Sequence, residues 1–226
     1  FKASLPSGKT IEVSTKRFCS LTHSKVGALC YEITPINFSG EIKIGLYVDF
    51  DVKNEDSNYD EKFWNEQDQH AGQECAYVLA NTKKTDFWVA TGMTYEIEGA
   101  CDRKESTTST REKHAEVIET VSLSQGKTLK IKKYGANVSS FHLAKDELVN
   151  ECKTQLEQAK AMGFEKLLQE QIEAWEEKWH KSDIKIEGDV AAQQGIRFNI
   201  FQLNQTYTGE DERLNIGPKG FTGEKY

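Results

Sequence analysis

Near Phe141 the spacing of apolar residues changes from every second position to every third or fourth, and that switch limits what the chain can fold into. Before it, apolar and polar residues alternate. The runs are Phe1, Ala3 and Leu5; Ile11 and Val13; Leu29, Tyr31 and Ile33; and Ile42, Ile44, Leu46, Val48 and Phe50. Phe87, Val89, Met93, Tyr95 and Ile97 continue the pattern, as do Leu129 and Ile131, with turns at Ser7-Gly8 and Gln125-Gly126. Such alternation predicts antiparallel sheets with one buried face, and so a large β-sandwich over residues 1–140.

After the switch, Leu148, Cys152, Leu156 and Ala159 fall on one helical face, Gly163 interrupts, and Phe164, Leu168, Ile172, Trp175 and Trp179 resume the stripe. Two helices joined at Gly163 and ending near Ser182 predict a helical linker over residues 141–185, with Ser139 or Ser140 as the first N-cap. A third region, residues 186–226, opens near Gly188-Asp189. Ala191, Ile196, Phe198, Phe201 and Leu203 spread over much of a helix circumference, which predicts a helix buried among others. It also carries Gln193, Gln194, Arg197, Asn199, Gln202 and Asn204. Buried polar groups need partners, so this helix is expected to border a polar cavity.

Charge narrows the functions. The net charge is −7, with acidic and basic residues interspersed, which leaves no electrostatic footprint for nucleic acid or an anionic membrane. No run approaches the roughly 18 apolar residues of a membrane span, and a neutral sugar is compatible with the balance. The 5 cysteines are odd in number and lack CxxC spacing, as expected of buried free thiols in a cytoplasmic protein. Three N-x-[ST] sequons (Asn37, Asn137, Asn204) lack a secretory signal and are read as chance matches. Phe1 already sits in a strand pattern and the sequence stops in a glycine-rich loop, so the chain is expected to be an internal stretch of a longer polypeptide.

The third region also carries a family pattern. Ile186-Glu187-Gly188-Asp189, then Gln194-Gly195-Ile196-Arg197-Phe198-Asn199-Ile200-Phe201-Gln202-Leu203, then Asn215-Ile216-Gly217-Pro218-Lys219-Gly220, resembles the start of the catalytic domain of glycoside hydrolase family sixty-five. The stretches Val52–Asp56, Lys62-Phe63-Trp64 and Thr82-Lys83-Lys84-Thr85-Asp86-Phe87 resemble its N-terminal sandwich, and Trp175, Trp179 and Asp183 its helical linker. The resemblance implies a mixed multi-domain architecture: antiparallel β-sandwich, helical linker and the beginning of an (α/α)6 barrel. It implies inverting phosphorolysis of an α-glucoside, with maltose plus inorganic phosphate giving β-glucose 1-phosphate and glucose. Kojibiose, nigerose and trehalose are the alternative disaccharides. The implied partners are disaccharide and phosphate, the remainder of the same polypeptide, and a second copy in a homodimer, with no other cofactor. The family's general-acid Glu and phosphate-binding residues would follow Tyr226, so no catalytic residue is assigned here. The loop from Asn215 to Tyr226 is expected to border the sugar pocket through Lys219, Gly220 and Tyr226. Its glycines permit close backbone approach and Lys219 can donate to hydroxyls. A noncatalytic carbohydrate-binding or assembly module is the contrasting reading.

Other motifs are weaker. Asp49-Phe50-Asp51-Val52-Lys53-Asn54 opens like a calcium loop, but Lys53 stands where an oxygen ligand is required and no glycine follows in sixth place. Glu210, Asp211 and Glu212 could offer a carboxylate pair, although adjacent acids more often face solvent. The 5 histidines show no metal-binding spacing, and no metal site is expected. Trp175 and Trp179 read as core, whereas Trp64, in a polar segment, stays open as a sugar-stacking residue.

Overall fold

The computed structural model describes residues 1–53, 61–207, 209 and 211–213. They belong to two compact units, one of residues 1–53 and 62–169, the other of residues 61, 170–207, 209 and 211–213.

The first unit holds two antiparallel sheets. Their strands are β1 (Lys2–Ser4), β2 (Thr10–Cys19), β3 (Val26–Pro35), β4 (Gly40–Asp49), β5 (Trp64–Ala71), β6 (Ala76–Thr82), β7 (Trp88–Gly99), β8 (Cys101–Arg111), β9 (His114–Leu123) and β10 (Leu129–Ser139). The larger sheet has 7 strands in the order β1-β2-β3-β10-β7-β6-β5, and the smaller has 3 in the order β4-β9-β8. The Ser7-Gly8 turn pairs Lys2 with Glu12 and Ser4 with Thr10, the hairpin expected at the N-terminus. Between the sheets Leu46, Val48, Val78, Met93, Val117, Val121 and Ile131 form the first core cluster.

One expectation needs correction. The central strands of the larger sheet are buried on both faces, not one. On β10, Leu129 and Ile131 enter the inter-sheet core, whereas Tyr134, Ala136 and Val138 face a second cluster with Leu148, Cys152, Leu156, Ala159 and Phe164. The cause is helix α1 (Leu148–Met162), which lays its apolar stripe on the sheet's other side. Strands β5, β6, β8 and β9 escaped the sequence reading. β5 and β8 are polar edge strands, and β6 is a continuous apolar run without alternation.

The helix start also differs from expectation. Ser139 is the last residue of β10, and Ser140 Oγ accepts a hydrogen bond from Trp88 N at 3.0 Å instead of capping a helix. A 3₁₀ turn (Lys145–Glu147) precedes α1, and its Glu147 side chain accepts from Ala144 N at 3.3 Å. Lys145 reaches back to Asp86 in the β6–β7 turn as an exposed ion pair. Asp86 sits at φ 49, and hydrogen bonds from Lys145, Asn81 and Trp88 hold its carboxyl down to about 2. Gly163 ends α1 at φ 82, a conformation other residues adopt only with strain. Helix α2 (Phe164–Ser182) starts immediately after it.

In the second unit, α2 runs on to Ser182 and α3 spans Val190–Thr206. The Trp175 ring lies 5.0 Å from that of Phe201 and 6.0 Å from that of Trp179. Both tryptophans are half-buried and stack with one another, and Trp175 with Phe201, but among the described residues neither joins a core cluster as their spacing predicted. Among the described residues no helix is long and apolar enough to cross a membrane.

Three tyrosines donate hydrogen bonds to carboxylates: Tyr77 to Asp68, Tyr95 to Glu119 and Tyr134 to Glu96. Burial and then the acceptor carboxylate raise Tyr77 and Tyr95 from an ordinary value of 10.0 to about 12, and Tyr134 shifts in the same direction. Unfolded tyrosines ionise near 10, folded ones of this set only at higher pH. Stability is therefore fully present below pH 10 and declines as pH rises toward and through 12. A spectrophotometric tyrosine titration should show these three ionising together with unfolding. Their titration near pH 10 in a still-folded protein would contradict the burial argument.

Candidate functional site

The expected sugar-contacting residues Lys219, Gly220 and Tyr226 lie outside the described residues, as does the rest of the 215–226 loop. The described structure shows what leads to that loop. Asp189 caps α3 by accepting from Ala192 N at 2.9 Å. Gln193 Nε2 donates to Ile184 O at 2.8 Å, and its Oε1 accepts from Ile186 N at 2.7 Å. Arg197 grips Asp183 in a fork, Nε to Oδ1 at 2.8 Å and a terminal nitrogen to Oδ2 at 2.7 Å. That geometry is specific to arginine and a carboxylate. It holds Asp183 below the usual carboxylate range.

These partners account for part of the polar load on α3. Positions 193, 197, 200, 201 and 204 share one face. Gln193 and Arg197 bind the segment before the helix, Phe201 meets Trp175, and Asn204 Nδ2 donates to Ile200 O at 3.0 Å. Ile200 is buried, but Val190, Phe198 and Leu203 are 85%, 59% and 73% exposed. Among the described residues, α3 meets neighbours through the face that carries Gln193, Arg197 and Phe201.

The competing motifs resolve into ion pairs. Both oxygens of Asp51 accept from Lys62 Nζ at 2.7 Å, and Asp49 faces His114 Nδ1 at 3.4 Å and an Arg111 nitrogen at 3.6 Å. Side-chain cations thus occupy the calcium-like cadence; Asn54 lies outside the described residues. Of the three adjacent acids, Asp211 is forked by Arg213 at 2.9 and 2.7 Å, and Glu210 is not described. Such pairing suits a local turn better than proton transfer.

Trp64 lines a groove of about 640 Å³ beside β4, the edge strand of the smaller sheet, with Tyr47, Phe50 and Phe87 as its other aromatic walls. Phe50 meets Trp64 edge-on at 5.0 Å. The polar groups at the floor bond to one another or to backbone: Thr91 donates to Asn137, and Lys133 Nζ to Tyr47 O at 2.7 Å. The groove therefore offers aromatic surface but few unmet polar groups.

A fully buried carboxylate escaped the sequence reading. Glu119 is 0% exposed, and its Oε1 accepts from Tyr95, from Arg103 at 2.8 Å and from Ser106 at 2.9 Å. Its signal was present in the sequence. Glu119 occupies the inward register of β9 with Ala115, Val117, Val121 and Leu123. It sits inside the sandwich and acts there as a structural charge, held by Arg103.

Comparison with known proteins supplies what local geometry does not. The model for "Glycosyl hydrolase family 65, N-terminal domain" matches residues 1–178, and that for the family's central catalytic domain matches residues 197–226. The chain is 38% identical over 223 residues to a maltose phosphorylase of Bacillus subtilis, covering 96% of this chain and 28% of that protein. It is 32% identical over 229 residues to an alpha,alpha-trehalose phosphorylase of Thermoanaerobacter brockii, covering 98% and 29%. A solved structure assigned provisionally as a kojibiose phosphorylase from human microbiome superposes with a TM-score of 0.81 at 23% identity, over 96% of this chain and 28% of that one. The chain thus spans under a third of the length of the proteins it matches. The sheet-rich fold followed by the start of a helical domain is shared with them.

Proposed function

The chain belongs to glycosyl hydrolase family 65, and on that premise we propose that its polypeptide is an inverting disaccharide phosphorylase, with maltose as the favoured substrate. The observation that carries the reading is the 38% identity with a maltose phosphorylase across almost the whole chain, against 32% for the trehalose enzyme. The reaction consumes maltose and inorganic phosphate and yields β-glucose 1-phosphate and glucose. An inverting hydrolase needs a general acid for the leaving oxygen and a general base for water. Phosphate is already anionic, so an anion site replaces the base. Neither group is assigned within residues 1–226. In this reading the chain supplies the sandwich, the linker and the approach to the barrel, and the acid and phosphate site come from polypeptide that follows. A cytoplasmic homodimer belongs to the same proposal.

The test uses the full-length enzyme with maltose, trehalose and kojibiose, each with phosphate, and proton NMR of the first product. β-Glucose 1-phosphate formed fastest from maltose is expected. An α-anomer, or faster turnover of another disaccharide, would overturn the assignment. The proposed sugar-side loop has its own test. Lys219→Ala should lower kcat/KM about tenfold or more, roughly 1.4 kcal/mol, with little change in melting temperature. Unchanged kinetics would return Lys219, Gly220 and Tyr226 to a purely structural role.

A further inference from the structure

Between α1 and the β5–β6 turn lies a cleft of about 690 Å³. That size suits a small ligand, whose sites commonly measure roughly 300–1,000 Å³. One wall is helical. Lys153, Glu157 and Lys160 recur at steps of four and three, so α1 presents them along one face above Leu156. The opposite wall is the turn from His70 to Cys75, with Glu74 at its rim. The Lys153 ammonium lies 5.1 Å above the Tyr77 ring, which stacks against His70 at 5.8 Å. Both walls are thereby held by the same aromatic ring.

Thr94 of β7 also lines the cleft. It is 3% exposed, and its Oγ1 has no hydrogen-bond partner among the described residues. A buried hydroxyl left unpaired is destabilising, and native proteins keep few of them. Here it lies beside a cavity able to hold a molecule that would pair with it.

The charges indicate which molecule. Lys153 and Lys160 are matched by Glu74 and Glu157, so the lining carries equal numbers of cations and carboxylates. An anion would meet two carboxylates and a cation two ammonium groups. A neutral polyhydroxyl compound suffers neither repulsion, because each hydroxyl can donate to a carboxylate and accept from an ammonium. We propose that this cleft binds a neutral sugar, with Thr94 and Lys160 as hydrogen-bonding contacts. The proposal rests on the cleft's own chemistry and stands whether or not the polypeptide is a phosphorylase.

The test is titration of the isotopically labelled 226-residue chain with glucose, maltose and inorganic phosphate, followed by amide chemical shifts. Sugar should shift the amides of Gly72, Thr94 and Lys160. Thr94→Val should weaken sugar binding about five- to tenfold, one hydrogen bond's worth, and leave the melting temperature equal or higher because an unpaired hydroxyl is gone. Lys160→Ala, on an accessible helix face, should weaken binding similarly without affecting the fold, and serves if the valine variant fails to fold. Absence of sugar binding, tighter binding of phosphate than of sugar, or sugar affinity unchanged in Lys160→Ala would each overturn the proposal.

Discussion

Replacing Glu119 by alanine should destabilise the sandwich by about 3 kcal/mol, read as a lower midpoint in urea with an unchanged slope. The loss does not come mainly from the salt bridge. Arg103 has a side chain 51% exposed and can turn to water once the carboxylate is gone. Tyr95 cannot. It is 6% exposed, and its hydroxyl would lose its acceptor inside the core beside a new cavity. Glu119→Gln keeps the shape and one acceptor oxygen, so about half that loss is expected. Glu119 Oε2 has no hydrogen-bond partner among the described residues, which marks the site as imperfectly satisfied. Combining Glu119→Leu with Tyr95→Phe should therefore return stability to within about 1 kcal/mol of wild type, since removing a buried polar group together with its partner is often neutral. A Glu119→Ala variant as stable as wild type would show that water reaches the carboxylate.

Phe164→Ala should cost more, about 3–5 kcal/mol, as expected for a large aromatic truncated in a filled core. Phe164 is 1% exposed and lies in the cluster with Leu148, Leu156 and Tyr134, its ring 5.6 Å from that of Phe18. It directly follows Gly163, so it also fixes the point where α1 hands over to α2. Ile172→Ala on the same helix, 42% exposed, is the control and should change stability by less than about 1 kcal/mol. Equal losses from both would mean that burial of Phe164 in this cluster does not set the effect.

Elements with a clean period were legible from sequence alone. Ile42, Ile44, Leu46, Val48 and Phe50 lie on one face of β4 and the chain following it, and the α1 stripe of Leu148, Cys152, Leu156 and Ala159 is wholly buried. Legibility failed where a second layer or an edge changed the rule. β10 buries alternate residues against different partners, so its apolar pattern shifts from odd to even positions between Ile131 and Tyr134. β8, rich in serine, threonine and charge, has one neighbour and almost no buried side chains, so it gives no periodic signal. Of the candidate site, Lys219, Gly220 and Tyr226 rest on motif resemblance. The cleft around Thr94 was invisible because it unites residues from β5, β7 and α1 that share no local pattern. Glu119 was within reach, as the one acid in an inward apolar register.

The smaller sheet has a consequence for how the chain behaves in crowded solution. A strand at the border of a sheet exposes unsatisfied amides and carbonyls to any extended segment that collides with it. β5 and β8, each at a border, meet that hazard twice over, with charged side chains and with a register irregularity at Glu66/Asp68 and at Arg103/Glu105. β4 has no irregularity, but three of its five outward residues, Glu41, Lys43 and Asp49, are charged, and Lys133 Nζ already donates to Tyr47 O on its open side. It pairs in unbroken register with β9 and borders the aromatic groove. At β4, then, side-chain charge and a filled carbonyl, not a kink, discourage an unfolded neighbour from adding itself.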